Sequence, residues 1–98
     1  GVFTYTAPTE REDNTPLSPE EIGGYNVFVN GELNDISPLL PTDTGFTLDL
    51  PSGEYIVTMT TLDTDGRESI PSDALTIDVP FNPKAPSGVT VNITISIN

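Results

Sequence analysis

The sequence predicts an all-β domain built from two packed sheets. Three observations carry this expectation. Apolar and polar residues alternate with a period of two through most of the chain, the pattern of strands with one buried face. Gly, Pro, Asn and Asp cluster between these stretches, where turns need them. The third observation is the stretch Leu48-Asp49-Leu50-Pro51-Ser52-Gly53-Glu54-Tyr55-Ile56-Val57-Thr58-Met59. It reads as a strand end, a tight corner and a new strand opening on a tyrosine, the placement of a tyrosine corner in two-sheet sandwiches.

The elements follow in order. Residues 1–7 alternate from the start, with Phe3 and Tyr5 on one face and Thr4 and Thr6 on the other. Pro8 ends this strand because proline cannot donate to a ladder. Residues 9–22 are polar and broken by Pro16 and Pro19, so they read as a long loop. Within it, Ser18-Pro19-Glu20-Glu21 has a serine cap, a proline at the first position and acids in the first turn, enough for a single helical turn.

Gly23-Gly24 opens the next strand, with Tyr25, Val27 and Val29 inward and Phe28 on the opposite face. An outward aromatic covers a neighbouring element or meets a partner. Asn30-Gly31 is a hairpin signal. Leu33 to Pro41 reads as a short edge strand or irregular link. Thr44–Leu50 is a strand with Phe46, Leu48 and Leu50 inward, and after the corner Glu54–Leu62 is another, with Tyr55, Val57 and Met59 on one face.

Asp63-Thr64-Asp65-Gly66 turns the chain. Its Asp-x-Asp-Gly pattern opens like a calcium loop, but the twelfth position, which needs a bidentate glutamate, is Ala74, so no metal is expected. Asp73–Val79 is a further strand with Leu75, Ile77 and Val79 on one face. Pro80, Pro83 and Pro86 make residues 80–88 an extended, semi-rigid connector. The chain then runs Val89-Thr-Val91-Asn-Ile93-Thr-Ile95-Ser-Ile97-Asn98, the cleanest alternation in the sequence.

Bulk composition limits function. The chain has 98 residues and a net charge of −12, with no cysteine and no histidine. One domain with one core fits that length. Histidine, the commonest general base and zinc ligand, is missing, and so is any thiolate. Arg11, Arg67 and Lys84 stand singly, where nucleic-acid binding needs clustered bases. An anionic membrane would repel so acidic a chain. Glu20-Glu21 and Asp63/Asp65 are the close acid pairs, and both sit in turns rather than in a dry cleft. With no evident base, none of the many serines and threonines reads as an activated nucleophile. The expectation is therefore a non-enzymatic protein without cofactor, whose charge keeps crowded copies soluble.

Phe-Thr-Tyr-Thr-Ala-Pro8, Gly24-Tyr25-x-Val27, Leu48-x-Leu50-Pro-x-Gly53-x-Tyr55-x-Val57 and Asp65-Gly66-x-Glu68-Ser69, with the strand led by Ser72, together resemble the fibronectin type III module. The resemblance covers residues 1–79. Tyr5 stands where the family usually has a tryptophan on its second strand, and Tyr55 at its corner tyrosine. The stretch from Thr6 to Leu17, running on to Glu21-Ile22-x-Gly24-Tyr25, looks like a variant found in modules of bacteriophage virion proteins and secreted bacterial proteins.

One departure matters. The family's first strand has no counterpart before Gly1, yet Pro83-Lys-Ala-Pro86-Ser-Gly-Val-Thr-Val-Asn looks like that strand moved to the C-terminus, as in a circular permutation. The resemblance thus implies an immunoglobulin-like sandwich of about seven strands. Residues 1–79 would form its core, 80–88 the connector, and 89–98 a strand completing this sandwich or a neighbour's. From Val79 to Val89 the connector spans roughly 31 Å at about 3.1 Å per residue. That is about one domain length, so return to the same domain and entry into another copy both stay open.

The function this implies is a structural protein of a bacteriophage particle, decorating or cementing its capsid or tail and located on the virion. Its partners would be other copies of itself and virion proteins, not nucleic acid or membrane, in a homo-oligomeric array. Phe28, Phe81, Val89, Val91, Ile93, Ile95 and Ile97 are the candidate interface. The second reading is a carbohydrate- or cell-surface-binding accessory module of a secreted bacterial protein, for which exposed aromatics such as Phe28, Phe81 and Tyr5 would supply the sugar platform.

Overall fold

The structure is a computed structural model that describes residues 1–96. Six strands and one short 3-10 turn are formed: β1 (Val2–Thr4), the turn Pro19–Glu21, β2 (Ile22–Val29), β3 (Glu32–Leu33), β4 (Gly45–Thr47), β5 (Gly53–Asp63) and β6 (Leu75–Val79). They make two antiparallel sheets, one of β1 and β4 and one in the order β3-β2-β5-β6. The architecture is all-β, as the alternation predicts.

The core lies between the sheets because the period-two residues of both converge there. Val27 is fully buried, Tyr25, Val57 and Leu48 nearly so. Phe3, Tyr5 and Phe46 pack against this cluster from the two-stranded side. Phe3 and Phe46 sit opposite each other in register and stack with ring centroids 5.0 Å apart. The Tyr5 ring meets Tyr25 edge-on at 4.9 Å, bridging the sheets. Leu17 and Leu39 complete the core from irregular segments, where alternation gives no signal.

The local signals resolve as their chemistry requires. Asn30 and Gly31 both have positive φ, 52° and 80°, and close the β2–β3 hairpin. Ser18 caps the 3-10 turn, and the Glu21 carboxylate accepts from its N–H at 3.1 Å and its hydroxyl at 3.0 Å. The Tyr55 hydroxyl donates to the Pro51 carbonyl at 2.7 Å, so the corner is pinned by the tyrosine that opens the next strand. Leu33 to Pro41 is irregular apart from the last residue of β3 and a bridge between Leu39 and Tyr25.

Six strands form among the described residues, and within the single chain residues 89–96 make no ladder. The ribbon projects from the body and lies beside none of the open strand edges. Leu75 shares a face with Val57 yet is 51% exposed, because nothing in the two-stranded sheet lies over it.

The molecule is 92 Å long but 21 by 19 Å across. Beyond Val79 the C-terminal segment projects from the body without forming a strand, and it bends at Ser87–Gly88, where Gly88 has a φ of 64°.

Candidate functional site

Of the four sheet edges left unpaired among the described residues, the outer edge of β1 is the one beside a groove, and the C-terminal ribbon is unpaired too. β1 pairs with β4 alone. Gly1 and Leu48 exchange both backbone hydrogen bonds, at 3.1 and 3.2 Å, and Tyr5 N–H reaches the Thr44 carbonyl at 3.4 Å. Antiparallel ladders alternate in direction, so odd-numbered residues of β1 bond inward to β4. The backbone groups of Val2, Thr4 and Thr6 then point to the open side.

Beside that edge lies a groove of about 300 Å³. Its floor and walls come from β1 and its extension (Phe3, Tyr5), from Tyr25, and from Val57 and Met59 of β5, with Leu75 of β6 on the rim. Ile70, also lining it, is 71% exposed. The groove exists because four strands on one side face only two on the other. Tyr25 is 2% exposed, and its hydroxyl has no hydrogen-bond partner among the described residues. Burial pushes the phenol's pKa up, as it does that of Tyr5, whose hydroxyl donates to the Asp43 carbonyl at 2.8 Å.

The ribbon presents Val89, Val91, Ile93 and Ile95 at 84, 78, 74 and 77% exposure. Ile97 lies outside the described residues. Phe81, on the connector, is 77% exposed. Phe28 is separate from this surface. It is half-buried on the outer face of β2, opposite Thr58 of β5, and borders a shallow depression with Thr60 and Glu68.

The acids and bases converge where the sequence suggested scatter. Asp63 ends β5 and is buried. One carboxylate oxygen accepts from the N–H groups of Arg67 at 2.8 Å and Asp65 at 3.0 Å. The other meets the guanidinium of Arg11 at 3.0 Å and that of Arg67 at 3.4 Å. Arg11 also reaches Glu21 at 2.8 Å, and Arg67 reaches Asp65 at 2.9 Å. Backbone donation from Arg67, with the two guanidinium groups, holds the Asp63 pKa down to about 2 despite its burial. Glu21 is likewise lowered, first by Arg11. This hub ties the long 9–22 loop to the turn after β5. Its carboxylates are spent on structure, and two of the three basic side chains are spent with them.

No protein-family model matches the chain, and neither a curated protein nor a solved structure matches it.

Proposed function

We propose that the chain is a non-enzymatic structural subunit of a bacteriophage particle, a fibronectin type III-like module that decorates or cements the capsid or tail. The observation that carries the reading is an apolar ribbon held in the open on a domain whose two-stranded sheet leaves the β1 edge unpaired. Such a ribbon is an aggregation hazard unless another surface takes it up. A chain of this kind is finished by assembly.

Other features support the reading. The resemblance in sequence places β1 to β6 at the second to seventh strands of an immunoglobulin-like sandwich, and the bond from Tyr55 to Pro51 fits its tyrosine corner. The acidic surface suits many copies packed on one particle. A glycan platform is less well supported, because Phe28 is half-buried and the Tyr5 hydroxyl is engaged with Asp43.

Quantitative mass spectrometry of gradient-purified particles from a host carrying the gene tests this. The protein is expected at a fixed, high copy number per particle, with immunogold label on the head or tail. Its absence from particles, or its occurrence in one reading frame with a catalytic domain, overturns the proposal.

A further inference from the structure

We infer that residues 89–96 of one copy enter the groove of a second copy and pair with the outer edge of its β1. The inference deepens the assembly reading by naming the partner as this same chain. It stands on four observations.

The first is shape. The open side is an unpaired β1 edge with free backbone groups and a groove lined by Phe3, Tyr5, Val57 and Met59 beside it. An edge strand in that position needs one apolar and one polar face. The ribbon supplies this pattern, with Val89, Val91, Ile93 and Ile95 on one face and Thr90, Asn92, Thr94 and Ser96 on the other.

The second is reach. The connector leaves β6 at Val79 and carries the ribbon away from its own body, so that the four aliphatic side chains are 74 to 84% exposed. In the single chain the ribbon does not double back into the groove. A ribbon projecting this far is presented to a neighbour.

The third is charge. All fifteen acids fall between Glu10 and Asp78, and residues 85–98 carry no charged side chain. Two bodies of this charge repel each other, whereas the neutral ribbon approaches an acidic body without that penalty. Leu75 and Ile70, exposed on the groove's rim, offer it apolar contact.

The fourth is an unmet hydrogen bond. Tyr25 lines the groove, and its buried hydroxyl has no partner among the described residues. Buried donors are nearly always paired. A backbone carbonyl brought in by a second chain is the acceptor the site lacks.

The test uses the full chain, which has no native cysteine to interfere. Two differently tagged populations are mixed under mild oxidation, one carrying Thr4→Cys and the other carrying Thr90→Cys, Asn92→Cys or Thr94→Cys in turn. All of these side chains lie on solvent-facing sides, so a disulfide reports strand pairing. The expected result is a cross-link between the two tags at one tail position above the others, increasing with concentration. Light scattering of the unmodified chain over a dilution series should show a mass above the monomer that falls on dilution. Ile93→Asp with Ile95→Asp should abolish both signals and leave the far-ultraviolet circular dichroism of the body unchanged.

Three outcomes overturn the inference. They are a monomer at every concentration, cross-linking confined within single chains of a Thr4→Cys/Thr94→Cys variant, and an oligomer that survives the aspartate substitutions. None of these bears on whether the protein is found on particles, so failure here and failure of the particle assignment are told apart.

Discussion

Replacing Tyr25 by phenylalanine should stabilise the protein. The side chain is 2% exposed and its hydroxyl is buried without a partner among the described residues. A buried polar group left unpaired costs about 1–3 kcal/mol in lost hydration. Phenylalanine keeps the ring, its edge contact with Tyr5 at 4.9 Å and almost all of the volume. The expected gain is therefore about 1 kcal/mol or more, a rise in Tm of roughly 4–8 °C per kcal/mol for a domain of this size. The measurement is urea unfolding followed by circular dichroism, made in the Ile93→Asp/Ile95→Asp background so that no second chain can supply an acceptor. Equal m-values are needed for the comparison, since a change in m signals a change in the end states. A loss of 1 kcal/mol or more on removing the hydroxyl would refute the reasoning, because it would mean that the group is bonded in the isolated chain.

Three further outcomes follow from the geometry. Tyr55→Phe removes the 2.7 Å bond to the Pro51 carbonyl and should cost about 0.5–1.5 kcal/mol in the same unfolding assay. Gly24→Ala should be more damaging than an ordinary surface change. Its φ is 156°, a Cβ there would sit 2.6 Å from the Leu39 carbonyl oxygen, and the position marks the bulge in the β2–β5 ladder; thermal melts of the variant should show a clear drop. Stability should fall as the pH drops from about 4 to about 2. The Asp63 pKa is lowered from 3.8 to about 2 on folding, so its contribution is fully present above the unfolded value and is lost as the folded carboxylate takes up its proton. Asp63→Asn should lower stability at neutral pH and flatten the acid limb of a pH series. An unchanged limb would remove Asp63 from the account.

The strands were legible because alternation reports which face of a segment is buried. It correctly grouped Tyr25, Val27 and Val29, and set Phe28 apart from them. The Asn30-Gly31 hairpin and the serine-capped turn were legible for a different reason, since their chemistry is local. What stayed hidden depends on distant residues. Arg11 and Asp63 are 52 positions apart, and a lone arginine in a polar loop carries no mark of its partner. Leu17 and Leu39 enter the core from irregular segments, where burial has no period to reveal it. The ribbon combines both cases. Its pattern says plainly that one face seeks cover, yet no pattern within a strand names the surface that covers it. The exposure of Leu75 likewise follows from a missing neighbour rather than from anything in its own segment.

The ribbon and the groove occupy different parts of the same chain, so in the exchange proposed above every contact between copies would have a direction. Each subunit would be a giver on one side and a receiver on the other. An open row of such subunits always ends with one unused ribbon and one empty slot. Such a row stops growing only by closing on itself or by meeting a foreign surface that satisfies its last member. Where the first copy is seated would then decide how far the series extends.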